Sequence, residues 1–260
     1  MDKKIIFFDV DSTLYSHKTN GIPESTIEGI KLAKQNGYLI GLATGRSKLL
    51  TSMLGIFDKI DFDYFVTING TLVLDKYDNT IFSLPCNKES INKIIDLTFK
   101  HGLNICFINR DDYYLLKDED LRSHLGYDPL HIIVPPKKQY LNEDIYQINL
   151  FCEDEFIPEF LQETGNNLSY SKLNNYGYDV YAKDQNKATG IKHLIEYLNI
   201  DVKNTYAFGD GHNDKEMIEF CGIGIAMGNS IQKVKDASDY VTDDIDNNGI
   251  YNALKYFNII

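Results

Sequence analysis

The sequence predicts a doubly wound α/β core built on a parallel sheet, Rossmann-like in plan, with an α+β domain inserted into it. Three observations predict this. Both ends of the chain alternate short apolar runs with amphipathic stretches, as β-α-β units do. The middle of the chain follows no such alternation. Carboxylates, hydroxyls and glycines stand directly after the apolar runs, at the strand ends where open parallel sheets place their ligands.

Residues 4–8 form an apolar run that stops at Asp9, which fits a buried parallel strand opening into a loop. Residues 23–36 place Ile27, Ile30, Leu32 and Ala33 at helical spacing, start near Ser25 and Thr26 and end at Gly37. Residues 38–43 then read as a second strand. The last third repeats the grammar with a helix over 190–198, a strand over 205–208, a helix over 214–220, a strand over 222–226, a helix near 230–236 and a strand at 239–241. Between these parts lie a helix around 90–101, strand-like stretches at 103–108, 113–116 and 146–152, and Pro135-Pro136. Structureless loops rarely exceed about 15 residues, so this segment must be a domain. Asn69-Gly70 is a hairpin signal, and a turn near 77–79 follows it where the chain leaves the first domain. The predicted division is a core of 1–82 and 184–260 around an insert of 83–183.

Composition limits the partners. The 260 residues are 43% hydrophobic and 25% charged, enough for a sizeable buried core. Lys and Arg total 26 against 38 Asp and Glu, and the net charge of −12 argues against nucleic acid and anionic lipid as partners. A small phosphorylated metabolite stays open, because local cations and a bound metal overrule the global sign. Cys86, Cys106, Cys152 and Cys221 are too far apart for a zinc knuckle or a Cys-x-x-Cys pair and read as buried thiols in a reducing compartment. The N-terminus becomes acidic too soon for a secretory signal, and no apolar stretch nears the roughly 20 residues that span a bilayer. These features predict a soluble cytoplasmic protein with no membrane segment and no obligate protein partner.

Four short constellations carry chemistry. In Asp9-Val10-Asp11-Ser12-Thr13, strand alternation sends Asp9 and Asp11 to the same side, so one carboxylate can attack while the other handles a proton. Gly209-Asp210-Gly211-His212-Asn213-Asp214 follows another apolar strand and adds two carboxylates, and an all-oxygen cluster suits Mg2+ better than zinc or copper. Ala43-Thr44-Gly45-Arg46 offers a hydroxyl, a close backbone approach and a helix start, the parts of a phosphate cradle. Lys187, just before a helix, supplies a cation for charge spreading over a transferring phosphoryl group. Each string has an ordinary reading as a turn or a surface residue. Their convergence on one sheet edge is what gives them weight. Arg46 and Asn69 either face that cleft or are structural, Arg46 as a surface ion-pair residue and Asn69 as a hairpin turn.

In this order, Asp-x-Asp-x-Thr, a strand-end Thr, a later Lys and Gly-Asp-x-x-Asn-Asp resemble the haloacid dehalogenase superfamily, and the length and spacing resemble its Cof-like phosphatase branch with a large α/β cap. The resemblance implies a phosphatase acting through an aspartyl-phosphate, with Asp9 as nucleophile and metal ligand. Asp11 would be the acid/base, with its backbone carbonyl on the metal, and Asp210 a further ligand. Asp214 would stand behind the metal or reach it through water. Thr44, Gly45, Lys187 and Asn213 would hold phosphoryl oxygens. A phosphotransferase or mutase on the same scaffold, or a non-catalytic binding protein, are the alternatives. Ser12 departs from the pattern, standing where this branch usually has Gly. The insert is expected to close over the site and select the leaving group.

Overall fold

The structure is a computed structural model that describes residues 3–260, so Met1 and Asp2, the start of the predicted core, lie outside the described residues. In chain order the first elements are β1 (Lys4–Phe8), α1 (Glu24–Gln35), β2 (Tyr38–Ala43), α2 (Lys48–Ser52), β3 (Tyr64–Thr67), β4 (Leu72–Asp75) and β5 (Thr80–Ser83). There follow α3 (Lys88–Lys100), β6 (Asn104–Ile108), β7 (Tyr113–Leu115), α4 (Leu121–Tyr127), β8 (Gln147–Phe151), α5 (Ile157–Thr164), β9 (Leu168–Asn174) and β10 (Gly177–Ala182). The chain ends with α6 (Lys187–Leu198), β11 (Thr205–Gly209), α7 (Lys215–Phe220), β12 (Ile223–Ala226), α8 (Gln232–Ala237), β13 (Tyr240–Val241) and α9 (Gly249–Tyr256). Contacts divide the chain into two compact units, one running up to Ser83 and resuming at Asn186, the other spanning Leu84–Gln185.

The first unit holds an eight-stranded sheet in the order β13-β12-β11-β1-β2-β3-β4-β5. Strands β13 to β3 are parallel, whereas β4 and β5 join as antiparallel hairpins, so the sheet is mixed at one edge and not parallel throughout. The Asn69-Gly70 and 77–79 signals are the two turns that build this edge. β1 is central because its four apolar residues are fully buried. Ile5 and Phe7 pack with Ile191, Leu194 and Ile195 of α6 and Met217 of α7, and alternation turns Ile6 and Phe8 to the opposite face. β1 pairs with β2 on one side and β11 on the other, and the strand order reverses at β1. Asp9, Thr44 and Asp210 follow directly at the C-terminal ends of those three strands, the edge where open α/β sheets place their ligands.

Gly70 and Gly190 position α6. A side chain on Gly70, whose φ is +88°, would meet the Asn186 carbonyl at 2.1 Å, and one on Gly190 would meet Gly70 Cα at 2.7 Å. Bare backbone at both places lets the first turn of α6 press against the β3–β4 turn. Asn186 caps that helix and forms a reciprocal capping box with Thr189, so α6 begins at Lys187 and not at the expected residue 190.

The second unit is a five-stranded sheet, order β7-β6-β8-β10-β9, with every pairing antiparallel. Ile105, Phe107, Ile148, Leu150 and Val180 form one core with Ile91, Ile94 and Leu97 of α3 and Phe160 of α5. Alternation places Cys106, Gln147, Asn149 and Asp179 on the other face, where the Tyr127 hydroxyl of α4 donates to Asn149 Oδ1 at 2.6 Å. All four cysteines are buried free thiols. No helix among the described residues is long and apolar enough to cross a membrane.

Candidate active site

Lys187 is wholly buried at the first turn of α6. Its Nζ donates to Asp9 Oδ1 and to Asp214 Oδ1, each at 2.5 Å. A buried ammonium without partners would shed its proton. Here burial works against the charge, and the Asp214 and Asp9 carboxylates more than offset it, raising the Lys187 pKa above its ordinary value. Asp9 is pushed the other way: burial and the Asp214 carboxylate hold it well above the usual carboxylate range, and Lys187 counters them only in part.

The loop after β11 is tied to the same place. Asp210 is pushed up to about 7, mainly by burial and then by Asp214, while the Thr13 hydroxyl donates to its Oδ1 at 2.9 Å and pulls the other way. Asp214 has both oxygens engaged, Oδ1 by Lys187 and Oδ2 by the backbone N–H groups of Asp210 and Gly211 at 2.8 Å each. One oxygen each from Asp9, Asp210 and Asp214 lie within 4.8 Å of one another. This donor set fits a hard divalent cation, because it is all carboxylate oxygen, and the raised pKa values of Asp9 and Asp210 show that Lys187 alone does not offset the cost of ionising them all together. Asp9 and Asp210 have oxygen capacity to offer such an ion, while Asp214 is committed to orienting Lys187 and the loop.

Asp11 lies in the loop after β1, but its side chain has different company. Arg46 donates to it twice, Nε to Oδ2 at 2.8 Å and Nη2 to Oδ1 at 2.7 Å, and His17 Nε2 reaches Oδ1 at 2.8 Å. Burial alone would raise this carboxyl; hydrogen bonds from His17 and Arg46 overcome it and hold Asp11 far below the usual range. Arg46 is thus an ion-pair residue, as one of its two readings held, but a buried one at 7% exposure and not a surface one.

Thr44, fully buried, accepts the Arg46 N–H on its hydroxyl oxygen at 3.1 Å, which leaves its O–H proton available to a further acceptor. A side chain on Gly45 would meet Asn69 and Asn213 at 3.2 and 3.3 Å. Asn213 donates to Asn69 Oδ1 at 3.1 Å, so Asn69 serves as turn and site neighbour at once, at φ 49°. His212 is exposed, as a loop residue should be. Ser12 sits at φ 61°, the left-handed region that glycine enters freely. Asn229 steadies it, donating to the Ser12 carbonyl at 2.8 Å while accepting from Ile245 N at 3.0 Å. The sequence did not single out His17 or Asn229; both act from irregular segments where no periodicity points to them.

Comparison with known proteins shows the family of the chain. Residues 6–254 match the family described as haloacid dehalogenase-like hydrolase. The chain is 32% identical to YkrA of Bacillus subtilis (strain 168), over all of both chains. Among solved structures, it superposes on the haloacid dehalogenase superfamily phosphatase BT1666 of Bacteroides thetaiotaomicron with a TM-score of 0.89, at 27% identity, covering 100% of this chain and 96% of that one. It superposes on the subclass IIB sugar phosphatase BT4131 with a TM-score of 0.86, at 32% identity, covering 99% of this chain and 100% of that one.

Proposed function

We propose, on the premise that the chain belongs to the haloacid dehalogenase-like hydrolases and is a phosphatase enzyme, that it hydrolyses a small phosphorylated metabolite with Mg2+ and an aspartyl-phosphate intermediate on Asp9. The observation that carries this reading is the buried Lys187 held between Asp9 and Asp214, with Asp210 beside them, at the ends of adjacent strands. A cation buried among carboxylates at the strand ends has more use for an incoming phosphate than for fold stability alone, because such clusters are expensive to build.

Asp9 and Asp210 would hold the Mg2+ with their side chains, and Asp11 with its backbone carbonyl. When bound, the ion screens the repulsion between carboxylate and phosphate and polarises a phosphoryl oxygen. Asp9 then forms a bond to phosphorus as the bond to the leaving oxygen breaks, while Lys187, Thr44 and Asn213 face the phosphoryl oxygens. Asp11 gives the leaving oxygen a proton and takes one from water in the second step. Its resting contacts keep it ionised and suit the second role. The first role requires the incoming phosphoryl charge to draw Arg46 toward itself and loosen its hold on Asp11. Among substrate classes, a sugar phosphate has the support of the 32%-identical sugar phosphatase, and phosphorylated cofactors are the other class.

The test is phosphate release across a panel of sugar phosphates, phosphorylated cofactors and nucleotides, with and without Mg2+. The expected result is metal-dependent release of free phosphate. Full activity after exhaustive chelation would remove the metal from the reading, and a phosphorylated acceptor as main product would make the enzyme a phosphotransferase.

A further inference from the structure

We propose that His17 is a positioning residue for Asp11 that fixes which carboxyl oxygen exchanges the proton during turnover, an inference that rests on the acid/base reading of Asp11. Three donor contacts meet on that carboxyl: Arg46 Nε on Oδ2 at 2.8 Å, Arg46 Nη2 on Oδ1 at 2.7 Å, and His17 Nε2 on Oδ1 at 2.8 Å. A carboxylate oxygen offers about two lone-pair directions. Oδ1 is therefore filled, while Oδ2 keeps one direction for the reacting oxygen. Arg46 alone would not make this choice, because a fork that grips both oxygens treats them alike. The asymmetry comes from His17.

Local structure delivers the imidazole to that place. Asp11 bridges to Tyr15, and Ser16 and Gly21 exchange backbone hydrogen bonds at 2.8 and 3.2 Å, closing a tight loop that begins next to His17. The His17 ring stands edge-on to Tyr15, with centroids 5.3 Å apart and planes at 70°. The reversal returns a side chain six positions later to the Asp11 carboxyl. Both side chains keep partial solvent access, 27% and 32%, so the contact contributes little to stability and its value lies in orientation.

In the first step the Asp11 O–H bond at Oδ2 breaks as the leaving oxygen gains that proton, and in the second a proton from the attacking water returns to Oδ2. Once Arg46 has loosened its hold, only His17 keeps the carboxyl oriented, so without it the carboxyl pivots and proton delivery is misaligned. Esters whose leaving group must be protonated then suffer most. Those whose leaving group departs as a stable anion suffer least.

The experiment compares wild type, His17→Leu and His17→Gln on p-nitrophenyl phosphate and on the alkyl monoester the enzyme turns over fastest, with thermal midpoints as a folding control. His17→Leu is expected to lower kcat for the alkyl ester about 10-fold more than for the aryl ester, with KM little changed. His17→Gln, which keeps an N–H donor, is expected to restore much of the ratio. An equal loss on both esters, or no loss on either, would overturn the positioning role. A wild-type enzyme that releases no phosphate from any ester would instead strike at the phosphatase reading.

Discussion

Each of the two units holds a desolvated carboxylate, and the two are answered in opposite ways. In the first, Asp9 faces a buried ammonium, and three carboxylates share the pocket. In the second, Asp179 Oδ1 accepts from the Gln147 amide at 3.0 Å and the Asn149 amide at 2.6 Å, with no cation bonded to it among the described residues. Burial raises Asp179 to about 7, and the two amides only moderate it. Amides satisfy hydrogen-bonding capacity without supplying charge, so the group titrates near neutrality. A lysine supplies charge, and its carboxylate neighbours make it a permanent cation. The first arrangement is the one proposed to receive a phosphoryl group and a metal. The second is a polar joint within a sheet.

The sharpest way to break this contrast is to remove the cation. Lys187→Met should leave Asp9 and Asp214 buried without a counter-charge, costing about 3–5 kcal/mol of stability. It should also lower turnover by about 100-fold or more, as loss of a preorganised charge-stabilising group does. Denaturant unfolding and phosphate release read the two effects separately. Turnover within a few-fold of wild type would show that the cation serves the fold alone.

Asp11→Asn asks whether the second carboxylate of the β1 loop differs in role from the first. Substrate binding should persist while kcat falls about 100-fold or more, since the amide keeps the space and the backbone carbonyl but passes no proton. Unaltered kcat would move the acid/base role to another residue.

Asp179 gives a pH-dependent contrast. Its folded pKa lies above the ordinary 3.8, so folding favours the protonated form. The stabilisation is complete below 3.8 and is lost as pH rises through about 7. Hydrogen exchange of the β8 and β10 amides should therefore show a second unit that loosens over that window. Asp179→Asn should flatten the dependence; a slope unchanged in the variant would assign it to another group.

The smallest effect expected is at Ser12. Glycine enters the left-handed region without the cost borne by a side chain, so Ser12→Gly should stabilise the protein by about 1 kcal/mol, read as a rise in the unfolding midpoint. A drop would mean that the serine contributes contacts worth more than the strain.

What the sequence made legible follows the physics of each segment. β1 and β2 were readable to the residue, because a strand covered on both faces must be a continuous apolar run. The start of α6 was missed by three residues although Asn186 and Thr189 spelled its capping box. α4 was not legible: it holds through the Asp120–Ser123 box and through Tyr127 reaching Asn149, a partner 22 residues away. β9 went unseen because its residues are mostly half-exposed and lack a clean apolar face. The motif residues Asp9, Lys187, Asp210 and Asp214 stand at strand ends and helix starts and meet in the structure. His17 was invisible, since nothing before the 16–21 hairpin reveals that the chain turns back on Asp11.

The central claim is that Asp9 itself takes the phosphoryl group. Rapid quench of enzyme with substrate, followed by peptide mass analysis, should find phosphate on Asp9, and a single turnover in heavy-oxygen water should place the label in the released phosphate and none in Asp9. Water attacking the phosphorus of an aspartyl-phosphate returns the carboxylate with its original oxygens, whereas attack at the carbonyl carbon would label the protein. Asp9→Asn should lose all turnover, an amide being a poor nucleophile and a poorer metal ligand. An Asp9→Asn enzyme that keeps a substantial rate, free of wild-type contamination and deamidation, together with an unphosphorylated Asp9 in the wild type, would contradict the account and leave direct attack by water in its place.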